Sequence, residues 1–217
     1  PETMARLKNK RESNITISVI VDGKDEKWYV EKVKENYPCP NLKSIRIDPQ
    51  LPQKKKIKEL FSLAKTKVNE GYSHVILLID FDEPNKNPNE FNAFNDLYSK
   101  YQNALNNGKS KDWMTKITVI VNNPCLEYWY LLHFRNTTKF YSKFDPDLKN
   151  DLRKIADLSD YEKSEDYYNK KPDIYSRLNK SGGLAKARSN AKSFNISTCR
   201  SEGCSEMKAL FDLFDSL

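Results

Sequence analysis

HVILLIDFDEPN, residues 74–85, places five consecutive aliphatic residues, Val75 to Ile79, directly before Asp80-Phe81-Asp82 and a Pro-Asn breaker. An unbroken apolar run of this length between turn residues predicts a central strand buried on both faces. Residues i and i+2 of a strand point the same way, so the carboxylates of Asp80 and Asp82 are expected side by side at its end. Open α/β sheets bind their ligands at that edge. Two acids crowded there repel each other unless a cation sits between them, and carboxylate oxygens suit hard ions such as Mg2+. A solvated acidic loop that caps the next helix would present the same residues.

Outward from this strand, residues 15–22 (ITISVIVD) are β-branched and apolar and predict a first buried strand ending at Asp22. Gly23 supplies a turn, and residues 26–36 carry helical spacing. A short second strand is expected at Lys43 to Ile47, ending at Asp48. Lys54 to Glu70 reads as a helix with Ile57, Leu60, Phe61, Ala64 and Val68 on one face, closed by Gly71. Residues 89–106 give another helix, and residues 116–121 (KITVIV) a further strand running into Asn122-Asn123-Pro124. This alternation implies right-handed crossovers and a mostly parallel sheet flanked by helices.

Three segments follow: a basic mobile arm over 1–14, an α/β domain over 15–136, and a helical C-terminal extension over 137–217 that packs on it. Within the last, helices are expected over 147–157, 172–179, 182–194 and 205–216; residues 137–180 are rich in Lys, Asp, Tyr and Asn.

The chain carries 37 Lys and Arg against 30 Asp and Glu, a formal charge of +7. That excess favours a polyanionic partner, above all nucleic acid, although a solvated basic surface has the same composition. Mean hydropathy is −0.80, no apolar run approaches the ~20 residues that span a bilayer, and no secretory h-region is evident. No membrane association and a cytoplasmic setting are therefore expected. The four cysteines form no Cys-x-x-Cys pair, and reduced thiols rather than a zinc site are expected. Six glycines in all leave little room for a Gly-rich phosphate loop, which weakens the case for a nucleotide-binding protein.

Asp22 at the end of the first strand and Glu26 four residues later would meet Asp80 and Asp82 if the first and third strands are neighbours. Four carboxylates in one small volume are costly unless metal-bound or partly protonated; alternatively Glu26 merely complements a helix dipole. NNPCLEYWYLLHF, residues 122–134, passes from strand end to an aromatic helix starting near Pro124. Its Leu126, Trp129, Tyr130 and Phe134 are expected in the core. Glu127 is either the partner of Asn123 in a capping box or a ligand of a second metal. His133 is expected to be a satisfied core histidine.

IVDGKDEKWYV (20–30), LLIDFDEPN (77–85) and NNPCLEYWYLLHF (122–134) resemble the three signature blocks of RloB-like proteins, bacterial proteins often encoded beside restriction-modification or abortive-infection systems. That family is similar to the TOPRIM fold shared by topoisomerases, primases and OLD-type nucleases. The resemblance spans about residues 15–135, with a weaker echo in NKKPDIYSRLN (169–179) and around Ser197-Thr198. It implies a Mg2+ (or Mn2+) site for phosphodiester chemistry. By position Asp22 takes the place of the invariant Glu that ends the first strand, and Glu26 that of the second acid of its block. Asp80 and Asp82 match the metal-binding pair, and Glu127 the acid of the third block. Asp22 departs from the pattern by one methylene, which shortens its reach toward a scissile phosphate.

These readings converge on a metal-dependent nuclease of DNA or RNA in anti-phage or mobile-element defence. Asp22, Glu26, Asp80 and Asp82 are the expected ligands, and Asp22, Asp80 and Glu127 the expected catalytic groups. Lys24, Lys186, Arg188, Lys192 and Arg200 are candidate phosphate contacts, with Lys186, Arg188 and Lys192 spaced as one basic helix face. The alternative is a degenerate nucleic-acid-binding or sensor subunit working with a defence-system partner protein. A homodimer is a further expectation, its face supplied by the aromatic helices.

Overall fold

The computed structural model describes residues 15–39, 45–48, 54–108 and 112–217. The arm expected over 1–14, and the first two residues of the strand expected from Lys43, lie outside them. Five strands, β1 (Ile17–Ile20), β2 (Ile45–Asp48), β3 (His74–Asp80), β4 (Ile117–Asn123) and β5 (Cys204–Ser205), form one sheet in the order β2-β1-β3-β4-β5. The first four run parallel, and β5 pairs antiparallel with the end of β4.

Alternation along β3 divides its aliphatic run between two cores. Ile76 and Leu78 face one layer with Val19, Val21, Ile120, helix α1 (Lys24–Asn36) and helix α5 (Glu127–Leu132). Val75, Leu77 and Ile79 face the other, with Ile20, Val119, helix α2 (Ile57–Asn69) and helix α4 (Pro88–Asn107). A single turn of helix, α3 (Asp82–Lys86), joins β3 to α4. Pro88 opens α4 where a free amide would be lost anyway, and the Asn87 side chain caps Asn89 N at 2.9 Å.

Residues 137–217 do not have a core of their own. Tyr161, Tyr168, Ile174, Leu178 and Phe211 lie in the same layer as β1, α1 and α5. Their helices are α6 (Lys149–Arg153), α7 (Glu165–Asn169), α8 (Ile174–Asn179), α9 (Gly183–Asn190) and α10 (Lys208–Asp215). Helicity expected from 205 begins only at Lys208. Cys204 and Ser205 instead extend the sheet, and the Ser205 hydroxyl donates to Asn122 Oδ1 at 2.6 Å. The sheet partner, remote in sequence, overrides local propensity.

The exposed side of β4 is covered as well: Val119 N donates to the Tyr101 hydroxyl and Val121 N to Glu206 Oε2, which blunts a strand edge that would otherwise template pairing. Tyr128, Trp129 and Tyr130 of α5 are fully buried within the chain. They therefore do not provide the dimer face expected of this helix. No helix among the described residues is long and apolar enough to cross a membrane. All four cysteines are free thiols.

Candidate metal centre

β3 ends at Asp80, and its even-numbered side chains face α1 and α5. Asp80 follows that parity toward the first turn of α1. There one carboxylate oxygen each from Asp25, Glu26 and Asp80 lie within 4.8 Å of one another. Glu26 is 4 % exposed, and both Glu26 Oε2 and Asp80 Oδ1 are buried without a hydrogen-bond partner. Gly23 makes the approach feasible: a Cβ there would stand 2.3 Å from Glu26 Oε2 and 2.9 Å from Asp25 Oδ1. A glycine at the strand-to-helix turn thus leaves room for the carboxylates themselves.

Glu127, in the first turn of α5, completes the acidic wall. Its side chain is fully buried; Oε1 accepts from the Tyr161 hydroxyl at 2.8 Å and pairs with Lys163 Nζ at 2.7 Å, while Oε2 is unpaired. Tyr161 is linked through Tyr168 to Tyr130, hydroxyl to hydroxyl at 2.9 and 3.1 Å, so a buried tyrosine chain fixes Glu127 from behind. Lys163 also reaches Asp25 Oδ2 at 2.9 Å.

Burial pushes the Glu26 carboxyl well above its usual range, and the charge of Asp25 adds to the effect. Burial does the same to Asp80, reinforced by Glu26, Asp25 and Glu127. Glu127 is raised by burial against the pull of Lys163. For Lys163 burial opposes the charge, yet Glu127, Cys125, Asp25 and Asp80 together outweigh it and hold the ammonium protonated. Two ionised carboxylates have no proton to share. Without a cation, Glu26 and Asp80 are therefore a pair from which the second proton is hard to remove.

Asp22 and Asp82 do not join this group. Asp22 lies one residue past Val21, and the β1–β3 register carries it level with Ile79, on the α2 face. Its Oδ1 accepts from Lys55 N at 2.6 Å. Asp82 misses because the strand has already ended. Phe81 is helical (φ −82°, ψ −11°) and Asp82 opens α3, so the period-two spacing that would set it beside Asp80 does not apply. Its carboxylate pairs with Lys86 at 3.0 Å. Of the two alternatives for Glu127, the capping box is not formed: the Asn123 side-chain amide donates to Cys199 O and Glu202 O, and α5 has no side-chain cap. Glu26, buried with Oε2 lacking a hydrogen-bond partner, is more than a partner for a helix dipole. His133 is a core residue: Nδ1 contacts Trp129 O at 2.9 Å, and burial pushes the ring down to about 4.

Among the basic residues, Lys24 is exposed at the start of α1, beside the acids. Lys186 and Lys192 are exposed, but α9 ends at Asn190, so Lys192 is not on its face. Arg188 is committed to Asp212 and Asp215 of α10, at 2.6 and 2.7 Å. Arg200 lies over the Phe91 ring at 4.6 Å and donates to Asn85 Oδ1.

A family model described as RloB-like protein matches residues 17–213. The chain belongs to the RloB-like family. The match extends through the C-terminal segment that supplies Tyr161 and Lys163, so the RloB-like unit includes both walls of the acidic site. No curated protein and no solved structure gives a significant match.

Sequence reasoning missed Asp25, Tyr161 and Lys163. Asp25 lies in the first turn of α1, before the helical spacing expected from residue 26. Lys163 contacts Asp25 across 138 positions and left no local signal.

Proposed function

We propose that the chain is a Mg2+- or Mn2+-dependent nuclease with TOPRIM-type chemistry, hydrolysing phosphodiesters in bacterial defence against phage or mobile elements. The observation that carries this reading is the pair of buried, unpartnered oxygens, Glu26 Oε2 and Asp80 Oδ1, on two of the three side chains that, with Asp25, bring one carboxylate oxygen each within 4.8 Å of one another. An all-oxygen donor set of this kind suits a hard divalent cation, and leaving such oxygens buried without one is costly. When bound, such an ion polarises a phosphoryl oxygen and acidifies a water.

The chain's own residues would divide the remaining work. Asp25, Glu26 and Asp80 hold the cation. Glu127, with Oε1 fixed by Tyr161 and Lys163, presents Oε2 as an acceptor that orients a water and takes up its proton. Lys24 at the start of α1 is placed to meet a phosphate that approaches the sheet edge, and the excess of 37 basic over 30 acidic residues favours a polyanion. Defence is what the family resemblance implies.

Supercoiled plasmid, single-stranded DNA and RNA incubated with Mg2+ or Mn2+ test the reading directly. Cleavage that EDTA stops and Asp80→Ala abolishes supports it; no cleavage of any substrate under either metal counts against it. A second reading, a nucleic-acid-binding or sensor subunit without its own chemistry, is favoured by one observation. Asp22, where the family pattern has its invariant Glu, gives its carboxylate to Lys55 N instead of to the acidic group. Metal-independent binding by the parent and Asp80→Ala proteins alike, without cleavage, would select it.

A further inference from the structure

The seat of Lys163 raises a question that the function proposed above leaves open: how many cations the acidic site takes. Lys163 Nζ stands 2.9 Å from Asp25 Oδ2, 2.7 Å from Glu127 Oε1 and 4.5 Å from the centre of the Phe144 ring. Glu127 is fully buried and the Lys163 side chain 35 % exposed. The contact therefore differs from a solvated surface pair, in which two mobile side chains gain little. One partner is fixed within the core by Tyr161, and the aromatic face adds a third attraction for the ammonium.

We infer that Lys163 is a built-in second cation, which occupies the space between Asp25 and Glu127 and limits the site to a single divalent ion. The inference rests on the metal-site reading of Asp25, Glu26 and Asp80. Charge balance supports it. Asp25, Glu26, Asp80 and Glu127 carry four negative charges when ionised. Lys163 and one divalent ion neutralise three of them. Without Lys163, one divalent ion leaves two negative charges, the complement of a second ion. Space agrees with charge: a metal between Asp25 Oδ2 and Glu127 Oε1 needs oxygens at about 2.0–2.6 Å, the position the ammonium already holds. A protein cation also differs from a free one in that it does not dissociate, so the contacts of Lys163 with Asp25 and Glu127 hold at any metal concentration.

Metal-free protein titrated with Mn2+, the unbound aqueous ion followed by electron paramagnetic resonance, counts the sites without reference to activity. The expected result is one bound Mn2+ per chain for the parent and for Lys163→Arg, and two for Lys163→Met, with circular dichroism confirming the fold. Lys163→Gln should also bind two and serves if the Met variant does not fold. Two ions in the parent, or one in both neutral variants, would overturn the inference while leaving the metal site standing. No bound ion in the parent would remove the metal site itself, and this inference with it.

Discussion

The C-terminal edge of the sheet carries acids on both faces, and the two sets are treated in opposite ways. On the α2 side, Asp22 accepts a backbone amide, Asp82 pairs with Lys86, and Glu83 pairs with Lys54 and Lys86 at 2.7 and 3.0 Å. On the α1–α5 side, Glu26, Asp80 and Glu127 each keep a buried oxygen without a partner. Each acid of the first set has a partner, although burial still raises the Asp22 carboxyl against its bond from Lys55 N. The second is stable only if partly protonated or if something positive binds there. Unmet electrostatic demand, rather than acid content, distinguishes the face on which the proposed site lies.

The sharpest way to break this contrast is to neutralise one acid on each side. Asp80→Asn should reduce metal-dependent cleavage by more than about a thousandfold. Asp82→Asn, which loses one exposed ion pair worth under about 1 kcal/mol, should change it by less than about tenfold. Equal losses in both variants would end the distinction between the faces.

The pH dependence of stability should next separate the unpartnered acids from Glu83. Glu26, Asp80 and Glu127 have folded-state pKa values raised above their unfolded ones, chiefly by burial. Their stabilising effect is complete below the ordinary carboxylate range near about pH 4 and is lost as pH rises through the raised values. Metal-free protein should thus lose thermal stability from mildly acidic to neutral pH, and Mn2+ at a hundredfold excess over Kd should return about 2.7 kcal/mol. For a chain of this size that is about 5–10 °C in calorimetry. Glu83, by contrast, is held below its usual range by Lys54, so its contribution should disappear only as pH falls. A melting midpoint indifferent to both pH and Mn2+ would argue that the orphaned oxygens are satisfied in another way.

A smaller effect is expected from Gly23→Ala. The new methyl group would stand against Glu26 Oε2 and push the carboxylate aside, with Mn2+ affinity falling about tenfold in the same titration. Unchanged affinity would mean that Glu26 is not a ligand. Tyr161→Phe should have an effect of similar size, on stability. It removes the hydroxyl that fixes Glu127 Oε1 while Lys163 remains, at a cost of about 1–2 kcal/mol of stability, read from denaturant unfolding.

Much of this architecture was legible in the sequence because it depends on local periodicity. The aliphatic run of β3 and the helical spacing of α2 and α4 carry their own signals, and parallel strands with intervening helices follow from the alternation; the aromatic helix expected near Pro124 begins only at Glu127. Asp80, Glu26 and Glu127 were legible for the same reason: each sits at or just past the end of a periodic element.

What the sequence by itself determined, then, is the α/β framework and which acids reach the sheet's edge. Only the tertiary structure decided which of them meet. Strand register placed Asp22 and Asp80 on opposite faces, and the helical turn at Phe81 removed Asp82. The return of residues 137–217 across the α1–α5 layer brought Tyr161 and Lys163 to Glu127. The physical reason is that periodicity is a property of neighbouring residues, whereas register and long-range return are fixed only when the whole core packs.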